Sequence, residues 1–237
     1  MNAGARGVVL GLSGGIDSSV TAALCKKALG PKRVTGVLMF EQKPHNPDDR
    51  LDAISLAHKL GIKTLELNVT PVIHAVSRML VSSRLKVSRL TLANIKARTR
   101  MISLYAIANE QHLLVAGTGD KSEILVGYYT KYGDGGVDFL PIGHLLKTEV
   151  RTLGAVLRLP YSIISKPSSP NLWRGQKASK DLPADYHILD GILTLLYDAR
   201  KSKSQIHKMT GASSTLLDKI IRLNTTSAHK RNLPPSP

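Results

Sequence analysis

The stretch Ser13-Gly14-Gly15-Ile16-Asp17-Ser18-Ser19, set directly after the apolar run Val8-Val9-Leu10-Gly11-Leu12, allows few folds. A short β-branched run, a cluster of small residues and then Val20-Thr21-Ala22-Ala23-Leu24 read as a buried strand, a tight turn and a helix start. Gly14 and Gly15 open backbone angles closed to other residues and let a ligand approach the main chain. Free N–H groups at a helix start, with the positive end of its dipole, favour an anion. Ser13, Ser18 and Ser19 add hydroxyl donors. The stretch reads as a phosphate cradle.

It is neither of the two commonest cradles. A Walker A loop needs a lysine after its last glycine, and a dinucleotide fingerprint needs G-x-G-x-x-G; Gly11, Gly14 and Gly15 satisfy neither. The S-G-G-x-D-S pattern resembles the PP-loop of the ATP pyrophosphatases, which split ATP into AMP and pyrophosphate. An ordinary serine-capped turn is the bland alternative, and six matching residues in strand–turn–helix context outweigh it.

Downstream, strands and helices alternate. Val34–Phe40 and Lys63–Asn68 read as strands, and His112–Gly117 as a fourth. Asn46-Pro47-Asp48-Asp49 reads as a cap and first turn of a helix whose face would be Leu51, Ile54, Ala57 and Leu60. Thr70-Pro71 opens another, with Val72, Val76, Met79 and Leu80 on one side. A long helix ending at Gln111 would carry a stripe of Leu92, Ile95, Thr99, Ile102 and Ala106. Val137–Ile142 reads as a short strand, Lys147 opens a helix running to about Leu157, and a further helix runs from Asp185 to about Arg200. This order predicts an α/β fold: a doubly wound parallel sheet flanked by helices, with a helical C-terminal region. Ligands then sit at the carboxyl ends of the strands, where the glycine-rich loop falls.

With 237 residues and no internal repeat or clean boundary, one large domain is the simplest organisation. No stretch is long and apolar enough to cross a membrane, and a lone Cys25 excludes a disulfide framework and a cysteine-cluster zinc site. The expected compartment is the cytoplasm. A net charge of +16 suits a nucleic-acid binder and equally an enzyme of polyphosphate substrates.

Later blocks decide between them. Asn94-Ile95-Lys96-Ala97-Arg98-Thr99-Arg100-Met101, Gly117-Thr118-Gly119-Asp120-Lys121-Ser122-Glu123, Thr130-Lys131, Gly133-Asp134-Gly135, Lys166-Pro167-Ser168-Ser169, Leu172-Trp173 and His229-Lys230-Arg231 resemble the ammonia-dependent NAD synthetases in order along nearly the whole chain. The resemblance implies a Rossmann-like, adenine nucleotide alpha hydrolase-like fold in a single domain over residues 1–237, without a glutaminase domain. It implies ATP-dependent amidation of deamido-NAD by ammonia, with AMP and pyrophosphate released. It puts Gly11, Leu12, Ser13, Gly14, Gly15, Ile16, Asp17 and Ser18 on ATP, together with Thr118, Lys147 and Ser169. It puts Mg2+ on Asp17 and Glu123, and deamido-NAD on Arg98, Lys131, Asp138, His229 and Lys230. Asp134 would handle incoming ammonium and Lys147 the α-phosphate. A homodimer is implied as well. The sequence departs from the family at Asp120, where asparagine is common.

Two rivals remain at this stage. Another PP-loop adenylating enzyme, acting on tRNA, would suit the charge, but sulfur transfer generally calls for reactive cysteines. The segment Gln205–Ile221 reads like a helix-turn-helix that could enter a DNA groove. A packing pair, with Ile206, Met209, Leu216, Ile220 and Ile221 as its core, is the better reading.

Overall fold

The computed structural model describes residues 4–42, 47–173 and 175–235. The expected Asn46 cap and the two chain ends lie outside the described residues.

Four strands form one parallel sheet: β1 (Gly7–Gly11), β2 (Val34–Phe40), β3 (Lys63–Asn68) and β4 (Leu113–Val115), in the order β3-β2-β1-β4. Val8 pairs with Val34 on one side of β1 and with Leu114 on the other. The order reverses at β1, so the loop that follows it opens at the topological switch point. Side chains of β1 alternate between faces, as a strand buried on both sides requires. Val8 and Leu10 pack with Val20 of α1 (Ile16–Leu29), Leu56 of α2 (Pro47–Leu60) and Val150 of α6 (Lys147–Val156). Val9 packs with Leu104 and Ala108 of α4 (Arg89–Gln111). α3 (Thr70–Ser82) lies against α4 through Ile73, Val76 and Leu80.

The buried helix faces differ from the expected ones. α2 buries Ala53, Leu56 and Ala57 while Leu51 and Ile54 are exposed; α3 exposes Val72 and Met79; α4 exposes Ile102. α4 is the instructive case. It covers the sheet, α3 and a cleft at once, so buried residues fall almost all round its middle: Ala93, Ile95, Lys96, Ala97 and Thr99. A single stripe at helical period does not describe a helix with three neighbours.

Val137–Ile142 does not form the expected strand. Only Phe139 makes a bridge, to Ala116. The cause is Asp138, whose carboxylate accepts from the Val115 N–H at 2.7 Å and from the Tyr105 hydroxyl at 3.0 Å. Beyond α5 (Lys121–Val126) and α6 come α7 (Tyr161–Ser165), α8 (Ala178–Asp181) and α9 (Tyr186–Leu193), the last continued by π-helical turns over Thr194–Asp198.

A second apolar core joins α5 and α9 to α10 (Lys203–Thr210) and α11 (Ser214–Thr226), through Val126, Leu189, Ile206, Leu217 and Ile220. The helix-turn-helix pair is therefore packed into the protein. Of its expected core, Met209 alone is exposed. The chain then makes α12 (Ala228–Arg231). Arg231 donates to the carbonyls of Ile124, Leu125 and Asn224, and Lys230 to those of Gly127 and Tyr129. A Cβ at Gly127, which has φ +69°, would lie 2.1 Å from Ser227 Cβ, so this docking needs the glycine.

Candidate active site

The loop between β1 and α1 bonds most of its own N–H groups, Ser13 to Ser18 Oγ and Gly15 to Ser13 Oγ, and leaves those of the first helical turn free. Gly15 caps α1 without any side-chain hydrogen bond, so the first amides of the helix face outward to the cleft. The serines shape the loop instead. Ser18 Oγ accepts from the Ser13 N–H at 3.2 Å and lies 3.0 Å from Ser13 Oγ; Ser19 Oγ donates to the Gly15 carbonyl at 2.7 Å. Gly14 has φ +77°, and a Cβ there would lie 2.1 Å from the Asp49 carbonyl oxygen. The loop is clamped from outside by Lys166, which donates to Gly14 O at 3.2 Å and Asp49 Oδ1 at 2.7 Å.

Below the loop lies a charge cluster. Lys147 is fully buried, with Nζ 2.7 Å from Asp17, 2.8 Å from Asp120 and 3.0 Å from Glu123. Three elements bring these groups together: Asp17 is in the first turn of α1, Asp120 and Glu123 form the capping box of α5, and Lys147 opens α6. Ser122 Oγ accepts from the Lys147 N–H, donates to buried Asp190, and so fixes the start of α6. Three carboxylates against one ammonium leave a formal charge of −2.

Burial pushes the Asp120 carboxyl up to about 6 and raises Glu123 well above the usual range; three carboxylates hold the Lys147 ammonium well above its own. Oxygens of Asp17, Asp120 and Glu123 lie within 4.8 Å of one another. Asp17 Oδ1 is buried with no hydrogen-bond partner among the described residues. Hard oxygen donors, an excess of two negative charges and an orphaned carboxylate oxygen fit a divalent cation of the magnesium kind. Asp120 is the member that sequence reasoning missed. Its four-residue spacing from the strand and its acid type were visible; the arrival of Lys147 against it was not.

A cleft of about 910 Å³ opens over the loop and the cluster. It collects Gly11, Leu12, Ser13, Gly15, Ile16, Asp17, Ser18, Thr118, Glu123, Asp134, Ser169 and Lys230. Gly14 faces Asp49, and Lys147 lies beneath the floor. Asp134 accepts from the Thr130 N–H at 2.8 Å, and burial raises its carboxyl above the usual range against the opposing pull of Lys230 and Arg100. Ser169 Oγ is turned into its own loop, donating to Gln176 O at 2.7 Å.

The remaining predicted residues stand off the cleft wall. Lys131 Nζ donates to the His229 carbonyl at 2.7 Å, and Arg98 to the Lys131 carbonyl at 3.3 Å, making one exposed rim. Asp138 is engaged at the end of β4, as above. Cys25 is buried in α1 with its thiol pushed up to about 11, which leaves it a packing residue rather than a nucleophile.

A parallel α/β sheet with an uncapped glycine–serine loop at its switch point and a carboxylate cluster beside it defines a nucleotide-using enzyme. Comparison with known proteins narrows the class. The chain belongs to the NAD synthase family, whose model matches residues 1–234.

An NH(3)-dependent NAD(+) synthetase of Methanocaldococcus jannaschii is 46% identical over 235 residues, covering 99% of this chain and 90% of that protein. One from Hyperthermus butylicus is 44% identical over 236 residues, covering 100% and 84%. Among solved structures, an NMN synthetase from Francisella tularensis superposes with a TM-score of 0.85 at 33% identity, covering 100% of this chain and 91% of that one. An NH3-dependent NAD synthetase from Campylobacter jejuni does so with 0.80 at 30%, covering 98% and 90%.

Proposed function

We propose that this chain is a carbon–nitrogen ligase that converts deamido-NAD to NAD with ATP and ammonia, as one NAD synthetase domain. The observation that carries the reading is the uncapped loop over the Asp17–Asp120–Glu123–Lys147 cluster, in a chain of this family.

The chemistry follows from the groups. A nicotinate carboxylate oxygen attacks the α-phosphorus of ATP; the bond to the β-phosphate oxygen breaks and pyrophosphate leaves. The free amides after Gly15 and the hydroxyls of Ser13 and Ser18 hold that pyrophosphate. Thr118 and Ser169 stand where the rest of the nucleotide lies. Lys147, buried beneath the cleft floor, acts through the acids it pairs with: it holds Asp17 and Glu123 in place under the nucleotide instead of touching the α-phosphate. A magnesium ion on Asp17 and Glu123 would neutralise the excess charge of the cluster and of the triphosphate. Ammonium then gives a proton to Asp134, whose raised affinity for protons suits a base. Ammonia adds to the acyl carbon and AMP leaves with its oxygen. The rim of Arg98 and Lys131, tied to the His229 carbonyl, offers cations to the pyrophosphate of deamido-NAD where it leaves the cleft, and Lys230 holds the cleft wall through Gly127 and Tyr129. Asp138 serves by holding the segment after β4.

The purified protein with ATP, magnesium, ammonium chloride and deamido-NAD is expected to give equimolar NAD, AMP and pyrophosphate. Glutamine as sole nitrogen source is expected to give none. Nicotinic acid mononucleotide should be run beside deamido-NAD, because a similar structure is that of an NMN synthetase. Absence of AMP and pyrophosphate with both acceptors would sink the ligase reading; turnover of the mononucleotide alone would replace the acceptor.

We also propose that two copies pair. Met79, Val81, Leu85, Leu90 and Ile102, on α3, α4 and the turn between them, are exposed large apolar residues that a second copy could cover. Light scattering is expected to report twice the chain mass, and Ile102→Glu to halve it. A wild-type mass equal to one chain rejects pairing.

A further inference from the structure

We propose that Arg100 reads the carboxylate of the acceptor and keeps hold of its acyl oxygen while ammonia adds. The assignment rests on the ligase reading above.

Arg100 lines the cleft from α4, with its side chain 27% exposed. Its one contact among the described residues is with Glu41 Oε1 at 3.6 Å, beyond hydrogen-bond range. Glu41 does not account for it, since the other carboxylate oxygen already holds Lys96 at 2.8 Å. Of the other cations around the cleft, three are committed, while Lys177 stands exposed. Lys147 is spent on three acids, Lys166 on Gly14 and Asp49, and Lys230 on two carbonyls. A guanidinium carries five donors in a fixed fork. The Arg100 guanidinium, partly exposed on the cleft wall and held loosely by Glu41, keeps donors open to an anion in the cleft.

Position says which anion. Leu104, one turn along α4, lies against Gly11 at the root of the phosphate loop, and Met101 packs at Gly136 in the loop that carries Asp134. Arg100 thus stands between the two halves of the reaction. Its charge is felt by Asp134. Ammonia released at Asp134 must come within about 3 Å of the acyl carbon to react. The acyl oxygens therefore lie beside Asp134, within the sweep of the arginine.

A guanidinium takes a carboxylate through paired charge-assisted bonds, which would aim one oxygen at the α-phosphorus. When ammonia adds, negative charge returns to the carbonyl oxygen, and the same N–H groups meet it. The product carboxamide carries no charge, so the same fork grips it less and lets it go. Substrate and product are told apart by one charge at one residue.

The test compares two ligands that differ only in that group. Affinities for deamido-NAD and for NAD are measured by calorimetry on wild type, Arg100→Gln and Arg100→Lys. Arg100→Gln is expected to weaken deamido-NAD by about 10- to 100-fold while leaving NAD unchanged. NAD formation should fall about 100-fold or more in kcat with the KM for ATP unchanged. Arg100→Lys keeps the charge and loses the fork, so it should restore part of the preference; it also stands in if the glutamine variant does not fold. An equal loss for both ligands, or a raised KM for ATP with the preference intact, overturns the assignment in favour of a structural or ATP-phosphate role. Wild type that makes no NAD fails the ligase reading itself; active wild type with an unchanged preference in both variants fails only Arg100.

Discussion

Lys147→Met is expected to lower the melting temperature by about 6–20 °C and to abolish NAD formation. The lysine is fully buried, and its ammonium is the common partner of Asp17, Asp120 and Glu123. It also stands 5.2 Å from the Tyr186 ring centroid. Removing one partner of a buried ion pair costs about 3–5 kcal/mol because the other charge is left uncompensated. In a chain of this size each kcal/mol moves the midpoint by roughly 2–4 °C. Here three carboxylates are left in one pocket, and protonation relieves part of the repulsion. Magnesium should therefore restore more of the midpoint in the variant than it adds to wild type. Differential scanning calorimetry with and without the ion reads this directly. A midpoint within about 2 °C of wild type would mean that the cluster is not held by its lysine.

Asp17→Asn should behave in the opposite way: the activity goes and the fold stays. Asparagine keeps the shape and an oxygen for the Lys147 ammonium, which lies 2.7 Å from Asp17 Oδ2; it takes one charge from a cluster that already carries two in excess, and Asp17 Oδ1 has no hydrogen-bond partner to lose among the described residues. Deamido-NAD-dependent exchange of pyrophosphate into ATP is expected to fall by about 1,000-fold, the loss of one transition-state electrostatic contact in a dry site. The melting temperature is expected not to fall, and the stabilisation by magnesium to vanish. Exchange near the wild-type rate at saturating magnesium would remove Asp17 from the metal site. Together the two variants separate what the cluster does for the fold from what it does for ATP.

How much of this was legible in the residues depended on range. The strand–turn–helix around the glycine pair was readable because its signal is local: an apolar strand, two glycines and three serines within a dozen positions. The parallel sheet followed from alternation alone. The faces of α2, α3 and α4 were misread at Leu51, Val72, Met79 and Ile102, because a helix buried against several neighbours has no single apolar stripe. Val137–Ile142 has strand-like composition, yet Asp138 occupies the Val115 N–H that a fifth strand would need. The pairing of Asp17 with Glu123, which the structure brings into one acidic cluster, was carried by family resemblance. The third acid, Asp120, became visible only when α5 and α6 were placed side by side.

The docking of α12 sets an order on how the protein becomes competent as it is made. The β1–α1 turn precedes α12 by about 200 positions. The lysine that lines the cleft from the other end bonds Gly127, 103 positions earlier in the chain. A growing chain can thus form the β1–α1 turn, and bring up Lys166 to clamp it, before the cleft has its last wall.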